Sequence, residues 1–461
     1  MFKDKVYKER RNKLRSILGS GLVLLPGNTE VAFNYPGNPY HFRQDSTFLY
    51  FFGLNHPDLA GVIDVDANED YIYGNDVDMD DIIWMGPQPL LSERALKAGV
   101  SNTAPYEKLK ETISEAIIYG KKIHFLPTYR GETTIELERL TGIPHTEIKE
   151  NISVELIKAV VELRSVKDEY EIAEIEKMVN VAYEMHTTAM KMAKPGVVEQ
   201  KIVGVIEGIS ISNGGPASFP VILSINGQTL HNHYHGNTLV EGRMMVTDAG
   251  AESSLCYASD ITRTVPVGGK FTQKQKEIYE IVLKANVEAI KAIRPGILNR
   301  EIHLMSAKII AQGLKNLGLM KGDVDEAVKQ GAHALFFPHG LGHMMGLDVH
   351  DMENLGENYV GYNDEIKRSD QFGLAFLRLG RKLEPGFVLT VEPGIYFIPS
   401  LIDQWKNEGK LTEFINYDKV EEYKNFGGIR IEDDILVTED GYRLLGKPIP
   451  KTVEEIENIM K

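Results

Sequence analysis

Two short apolar runs, each with an acid at one end, give the chain its centre. Arg243-Met-Met-Val-Thr247 leads into Asp248, and Asp260 leads out into Ile261-Thr-Arg-Thr-Val265. Alternating and β-branched residues of this kind predict two short strands joined by a turn across Val246–Pro266. Asp248 sits beside Ala249-Gly250, where an acid can cap a turn or face a site. Upstream, Tyr40–Gly53 is dense in aromatics, Gly61–Val65 and Lys122–Leu126 have strand composition, and Leu109–Ile118 is helical. Short strands alternating with helices predict an amino-terminal α/β domain with a mostly parallel sheet. From Val154 to Met192 the pattern turns helical, with an apolar stripe at Ala173, Ile175, Met178, Val179 and Ala182. The polar run Leu163–Glu169 suits a domain boundary, giving domains at 1–160 and 161–461.

The second part repeats itself. Ala193-Lys-Pro-Gly-Val197 and Ile293-Arg-Pro-Gly-Ile297 each end one helical pattern before another begins. Glu241-Gly-Arg-Met-Met-Val-Thr-Asp248 matches Pro385-Gly-Phe-Val-Leu-Thr-Val-Glu392, with the acid six positions after the glycine in both. Each half then carries a second acid on a strand, Asp260 in one and Glu432 in the other. Two duplicated α/β units facing each other across a pseudo-two-fold axis would bring all four together.

The composition is that of a globular protein, and 461 residues are enough for two cores. A net charge of −15 argues against nucleic acid or an anionic membrane as partner. No apolar run approaches a membrane span, and Met1–Arg10 has no signal-peptide core, so a cytoplasmic location is expected. Cys256, the single cysteine, cannot form an internal disulfide and suits a packed small side chain.

Four carboxylates in one apolar cleft would repel unless cations compensate them. In Gly428-Ile-Arg-Ile-Glu-Asp-Asp-Ile435, strand alternation places Arg430, Glu432 and Asp434 on one face. The glycine-rich stretch Phe337–Asp351 adds three of the 13 histidines, His339, His343 and His350, in a run too rich in glycine for a helix. A second cluster, Leu230-His-Asn-His-Tyr-His235, precedes Asp248 and suits either substrate contacts or a polar loop. Oxygen-rich ligation with an imidazole suits Mn²⁺, with Co²⁺ or Zn²⁺ as alternatives. Two such ions about 3.5–4 Å apart would balance the four charges and activate a water. Arg430 would orient Glu432 from behind. Arg43 and Asp45 form a local salt bridge or reach a neighbouring site.

Asp-Ala-Gly, Asp-Ile-Thr-Arg-Thr-Val-Pro, His-Gly-Leu-Gly-His, Val-Glu-Pro-Gly-Ile-Tyr and Gly-Ile-Arg-Ile-Glu-Asp, in this order, resemble the Xaa-Pro aminopeptidases (aminopeptidase P). These are the proline-specific, dinuclear branch of the pita-bread metallopeptidases. Phe42-Arg-Gln-Asp-Ser and Phe52-Gly-Leu-Asn resemble that family's amino-terminal domain. The resemblance implies an α/β (α+β) protein whose amino-terminal α/β domain precedes a pita-bread domain with pseudo-two-fold symmetry. It implies metal ligation by Asp248, Asp260, His343, Glu392 and Glu432, with Asp260 and Glu432 bridging. His339 and His350 match histidines lining the substrate site. Either His231 or His233 matches a further one, and His231 is preferred by its Leu-His context.

The implied activity is hydrolysis of an Xaa-Pro bond by a hydroxide held between two metals. Glu392 would shuttle a proton to the proline nitrogen, and Arg430 would assist. The implied partners are peptides with proline second and further copies of the chain, as a dimer or tetramer. A dipeptide-only prolidase shares the same ligands, and a dead binding module shares the fold. The interval from Asp248 to Asp260 is one residue longer than the family's usual one, which implies a bulge or longer turn. The segments Glu353–Leu383 and Pro399–Asn425 are also longer than in the smaller bacterial members, which bears on substrate choice.

Overall fold

The computed structural model describes residues 1–461, which divide into two compact units. One comprises Met1–Arg164 with Met352–Tyr359; the other comprises Ser165–Asp351 with Val360–Lys461.

The first unit holds a five-stranded sheet of β1 (Leu22–Pro26), β2 (Ala60–Asp64), β3 (Glu69–Tyr73), β4 (Asn102–Ala104) and β5 (Ile123–His124), in the order β4-β3-β2-β1-β5. The expectation of a mostly parallel sheet is wrong. β1 pairs β2, and β2 pairs β3, antiparallel along their full lengths; only the short edge strands β4 and β5 pair parallel. The physical reason lies in the link Val65–Asn68, which is too short for a parallel crossover and makes β2 and β3 a hairpin. Leu24, Val62 and Tyr73 of this sheet form one core with Leu109, Ile113, Phe125, Leu137 and Leu140. The aromatic stretch folds as the helix Ser46–Phe52, capped by the Asp45 carboxylate accepting from the Phe48 N–H. The helix ends at Gly53 (φ 66°), where a Cβ would lie 2.3 Å from the Tyr7 ring.

The second unit begins with the helix Glu169–Met192, whose amino end is closed by an Asp168–Glu171 capping box. The helix Glu199–Ser212 and strands β6 (Ile222–Ser224), β7 (Met244–Asp248) and β8 (Thr262–Pro266) follow. β6-β7-β8 form an antiparallel sheet in which Asp248 stands opposite Thr262, so the expected strand pair is present. Helices Gln273–Ala292 and Asn299–Asn316 open the second half, followed by β9 (Val388–Val391), β10 (Gly394–Tyr396), β11 (Gly428–Arg430), β12 (Asp433–Val437) and β13 (Tyr442–Leu444). These form the sheets β13-β12-β9 and β10-β11.

The duplication extends to individual hydrogen bonds. Gly196 (φ 87°) and Gly296 (φ 83°) end the two long helices in left-handed backbone. The Gly196 N–H donates to Leu239 O at 2.9 Å, and the Gly296 N–H to Leu383 O at 2.8 Å. The next turns follow suit, with Glu199 N–H on Asn237 O and Asn299 N–H on Arg381 O, both at 3.0 Å. Each long helix is thus tied to the lead-in of its own acid-bearing strand. The halves meet at their sheet edges, where Glu432 N–H donates to Thr262 O and Asp260 N–H to the Asp434 carboxylate, both at 3.0 Å.

Candidate metal centre

The meeting edges place the strand-end acids around one cavity of about 560 Å³. Asp248 ends β7, and Asp260 lies two residues ahead of β8. Glu392 lies between β9 and β10, and Glu432 fills the gap between β11 and β12. His343 comes from the glycine-rich loop, which is non-helical as its composition predicts. That loop is pinned by Thr390 N–H on His343 O and Met345 N–H on Val388 O, both at 3.0 Å. Gly342 is required here, since a Cβ would lie 1.9 Å from Thr390 O.

Asp260, His343 and Glu432 each place a donor atom within 4.8 Å of the others, and all three are buried. The His343 Nδ1–H donates to its neighbouring Met344 carbonyl at 3.0 Å, which fixes the tautomer. Nε2 is therefore an unprotonated acceptor, yet it faces Asp260 Oδ2 at 3.4 Å and Glu392 Oε1 at 4.0 Å. Three lone-pair bearers turned towards one another need a cation between them. Asp248 Oδ1 and Asp260 Oδ1 are buried with no hydrogen-bond partner. Each such orphan costs about 1–3 kcal/mol. With no cation, burial and then the neighbouring acids push the Asp260 and Glu432 carboxyls far above their ordinary range. Glu392 rises to about 8 through burial, with the Asp248 charge adding and Arg430 opposing. The donor set and its orphaned atoms fit divalent metal.

Arg430 departs from its expected place. It does not lie on Glu432; its Nη2 donates to Asp248 Oδ2 in the other half at 2.6 Å. It reaches Glu432 through the Thr262 hydroxyl, which accepts from Arg430 Nε at 3.1 Å and donates to Glu432 Oε2 at 2.7 Å. Arg430 and Glu432 both face the cavity, with the Thr262 hydroxyl between them. Arg430 Nη1 also donates to the Tyr396 hydroxyl at 2.9 Å. Tyr396 in turn faces His339 Nε2 at 2.9 Å, while His339 Nδ1 donates to Gly340 O at 2.8 Å. Burial, then Arg430, lowers His339 to about 3, so it is neutral.

His350 lies against His343, with ring centroids 4.0 Å apart and the ring planes tilted by 53°. His231 and His233 both line the cavity, and burial, then Arg430, lowers the His231 ring below its ordinary value. Asp434 is buried behind the site, holding the Asp260 backbone. Cys256 is buried in the turn between β7 and β8, at φ 67°. Two residues lay outside the sequence expectations. Tyr396, at the end of β10, bonds to His339 and Arg430. Arg378 sits in the long segment 353–383, with no pattern to mark it.

Residues 173–439 match the model of metallopeptidase family M24, and residues 7–124 match that of the aminopeptidase P N-terminal domain. A human Xaa-Pro dipeptidase is 33% identical over 465 residues, covering 98% of this chain and 91% of that protein. A probable Xaa-Pro aminopeptidase of Aspergillus clavatus is also 33% identical, covering 95% and 92%. Zinc-substituted Escherichia coli aminopeptidase P, solved in complex with product, superposes with a TM-score of 0.83 at 30% identity, over 100% of this chain and 98% of that one. The chain therefore belongs to metallopeptidase family M24, and its amino-terminal part is of the aminopeptidase P type.

Proposed function

We propose that this protein is a metal-dependent exopeptidase that releases the first residue of peptides whose second residue is proline. The observation that carries the reading is the unprotonated His343 Nε2 facing the oxygens of Asp260 and Glu392. In this reading Asp248, Asp260, His343, Glu392 and Glu432 hold two divalent ions, with Mn²⁺ preferred for an oxygen-rich set. Such ions supply Lewis acidity and generate a nucleophile from water at neutral pH.

The chain's own groups do the rest. His231 and His350 stand at the cavity wall, where an imidazole N–H can stabilise negative charge developing on the scissile carbonyl oxygen. His339, held neutral against Tyr396, lines the same wall. Glu392 carries a proton to the leaving proline nitrogen, which has no N–H of its own in the peptide. Phe219, Pro220, Pro338, Val349 and Phe376 give the cavity an apolar wall suited to a pyrrolidine ring. The chemistry belongs to residues 161–461 in this proposal. A cytoplasmic location and a homo-oligomer, dimer or tetramer, belong to it as well; cell fractionation and light scattering test them. No helix is long and apolar enough to cross a membrane.

One observation favours a second reading. Arg378 places a fixed positive charge on the cavity wall, where it can take the free carboxylate of an Xaa-Pro dipeptide. That is the substrate named for the human relative. The Mn²⁺-loaded protein should be assayed on Ala-Pro, Ala-Pro-Ala and Ala-Ala-Ala. Cleavage of Ala-Pro-Ala but not Ala-Ala-Ala supports the aminopeptidase. Cleavage of Ala-Pro alone replaces it with the dipeptidase. Cleavage of Ala-Ala-Ala in preference to both rejects proline specificity.

A further inference from the structure

Behind the cavity, on the helix side of the sheets, two polar side chains occupy matching places in the duplicated helices. His186 lies in Glu169–Met192 and Asn286 in Gln273–Ala292, each ten residues ahead of the glycine that ends its helix, Gly196 or Gly296. Both are almost fully buried. Neither is close to the cavity surface, and neither motif nor periodicity marks them.

Each is bonded to backbone that flanks the acids of its own half. Asn286 Nδ2 donates to Val391 O at 3.0 Å and to Ile431 O at 3.3 Å. These are the residues immediately before Glu392 and Glu432. One planar amide therefore spans the backbone of both acids and sets their separation. His186 Nε2 lies 2.9 Å from Ala249 O, the residue immediately after Asp248. A carbonyl only accepts, so Nε2 carries the proton. The Ala249 N–H donates in turn to Ile261 O at 3.0 Å, the residue after Asp260. Both halves thus use one helical side chain to tie together the two points from which their acids project.

Asn286 is itself held from the other side. Lys451 Nζ donates to Asn286 Oδ1 at 2.8 Å and to Asp433 Oδ2 at 2.7 Å. Arg263 Nη2 pairs with Asp433 Oδ1 at 2.6 Å, and Arg263 Nη1 donates to Glu432 O at 2.6 Å and Thr262 O at 2.9 Å. Burial alone would raise the Asp433 carboxyl, but Arg263 and Lys451 hold it below the carboxylate range, so it is ionised. Arg263 Nε also reaches Pro450 O at 3.0 Å, and the Tyr279 hydroxyl donates to Lys451 O at 2.7 Å. A fully satisfied buried network of this kind is rigid.

We propose that Asn286 and His186 are positioning residues that fix, from behind, the spacing of the four carboxylates that hold the metal. The inference rests on the metal-binding reading above. Supporting groups around a metal site act by orienting its ligands, and their loss typically costs 10–100-fold in affinity.

Mn²⁺ alone is the probe, titrated calorimetrically into the metal-free full-length protein. Melting temperature and far-UV circular dichroism are recorded alongside. Asn286→Leu and His186→Leu, folded by circular dichroism, should bind Mn²⁺ about 10–100-fold more weakly than the parent. His186→Gln, which keeps an N–H donor at similar reach, should stay within about threefold of the parent. Where a Leu variant does not fold, Lys451→Met removes only the outer support and should weaken binding by several-fold. A purely structural role lowers the melting temperature and leaves the affinity of the folded protein unchanged. Folded variants, Lys451→Met included, that all bind Mn²⁺ like the parent overturn the proposal. A parent that binds no Mn²⁺ overturns the metal reading itself, a separate outcome seen before any variant is made.

Discussion

Arg430 Nη2 lies 2.6 Å from Asp248 Oδ2, so a buried ion pair joins the second half of the repeat to the first at the cavity wall. The guanidinium also holds Thr262 and Tyr396, which carry Glu432 and His339. Breaking a buried pair from one side costs about 3–5 kcal/mol, because the remaining charge is left uncompensated. Arg430→Met should therefore melt earlier as the metal-free protein and lose at least about 100-fold in kcat. Arg430→Lys keeps the charge but not the three-way fork, so it should recover most of the stability and little of the activity. Thermal melts and steady-state kinetics on both variants check this.

Metal removal should create a pH dependence that metal abolishes. The Glu392 carboxyl, raised to about 8 by burial and by Asp248, is protonated in the folded metal-free protein and ionised when unfolded at neutral pH. A folded value above the unfolded one gives stability that is complete below the unfolded value and is lost as pH rises through the folded one. The metal-free melting temperature should accordingly fall between pH 6.5 and 8. Added Mn²⁺ should flatten that slope and raise the melting temperature, by about 2.7 kcal/mol of stability at a hundredfold excess over its Kd. A metal-free protein with no slope in this window would count against crowded carboxylates.

A second pH effect of opposite sign comes from His303 and His333, which face each other with ring centroids 6.3 Å apart. Both are buried, and none of their four ring nitrogens has a partner. Burial lowers His333 to about 4 and holds His303 well below its ordinary value, with His333 and then His339 adding to it. Here the unfolded chain takes up protons first, so stability is complete above pH 6.5 and is lost as pH falls towards 4. Two and a half pH units at 1.36 kcal/mol each make this about 3 kcal/mol for His333. His333→Phe should remove that share of the acid sensitivity and leave the alkaline slope intact. Melting temperatures at pH 5 and 7, compared between parent and variant, separate the two.

The sequence carried the parts of this arrangement that repeat or alternate. The strands ending at Asp248 and starting beyond Asp260, the paired Pro-Gly stops, and the one-face alternation of Arg430 and Glu432 are local patterns, and they persist in the fold. Sheet direction in the amino-terminal unit was not legible, because the hairpin at Val65–Asn68 has the same strand composition as a crossover. Arg430 was placed on its nearest acid in sequence, whereas its partner Asp248 lies 182 residues away. Asn286 and His186 are silent for the same reason. Their partners are backbone carbonyls, which have no residue identity to recognise.

His231 and His233 are equivalent in sequence up to their flanking residues and both line the cavity, and we propose that His231 is the one that meets substrate. The His231 ring is depressed by burial and then by Arg430, and it also feels Asp248 and His350. It stands among the groups that would surround a reacting carbonyl. A donor aimed at developing charge contributes about 10²–10³ in kcat. His231→Ala should lose activity on that scale with little change in Mn²⁺ affinity. His233→Ala should stay within about threefold of the parent. Equal losses in both would place substrate between the two rings.

Arg378 decides between the two substrate readings. Its charge on the cavity wall is 14 residues ahead of Glu392, in the segment 353–383. A dipeptide presents a carboxylate directly after its proline, while a longer peptide presents an amide there. A charge-assisted contact is roughly twice as strong as a neutral one. Arg378→Met should therefore raise KM for Ala-Pro by about tenfold or more and leave that for Ala-Pro-Ala within about threefold, with kcat little changed for both. If instead both substrates lose kcat equally, the guanidinium acts on the reacting groups, and the carboxylate is recognised elsewhere.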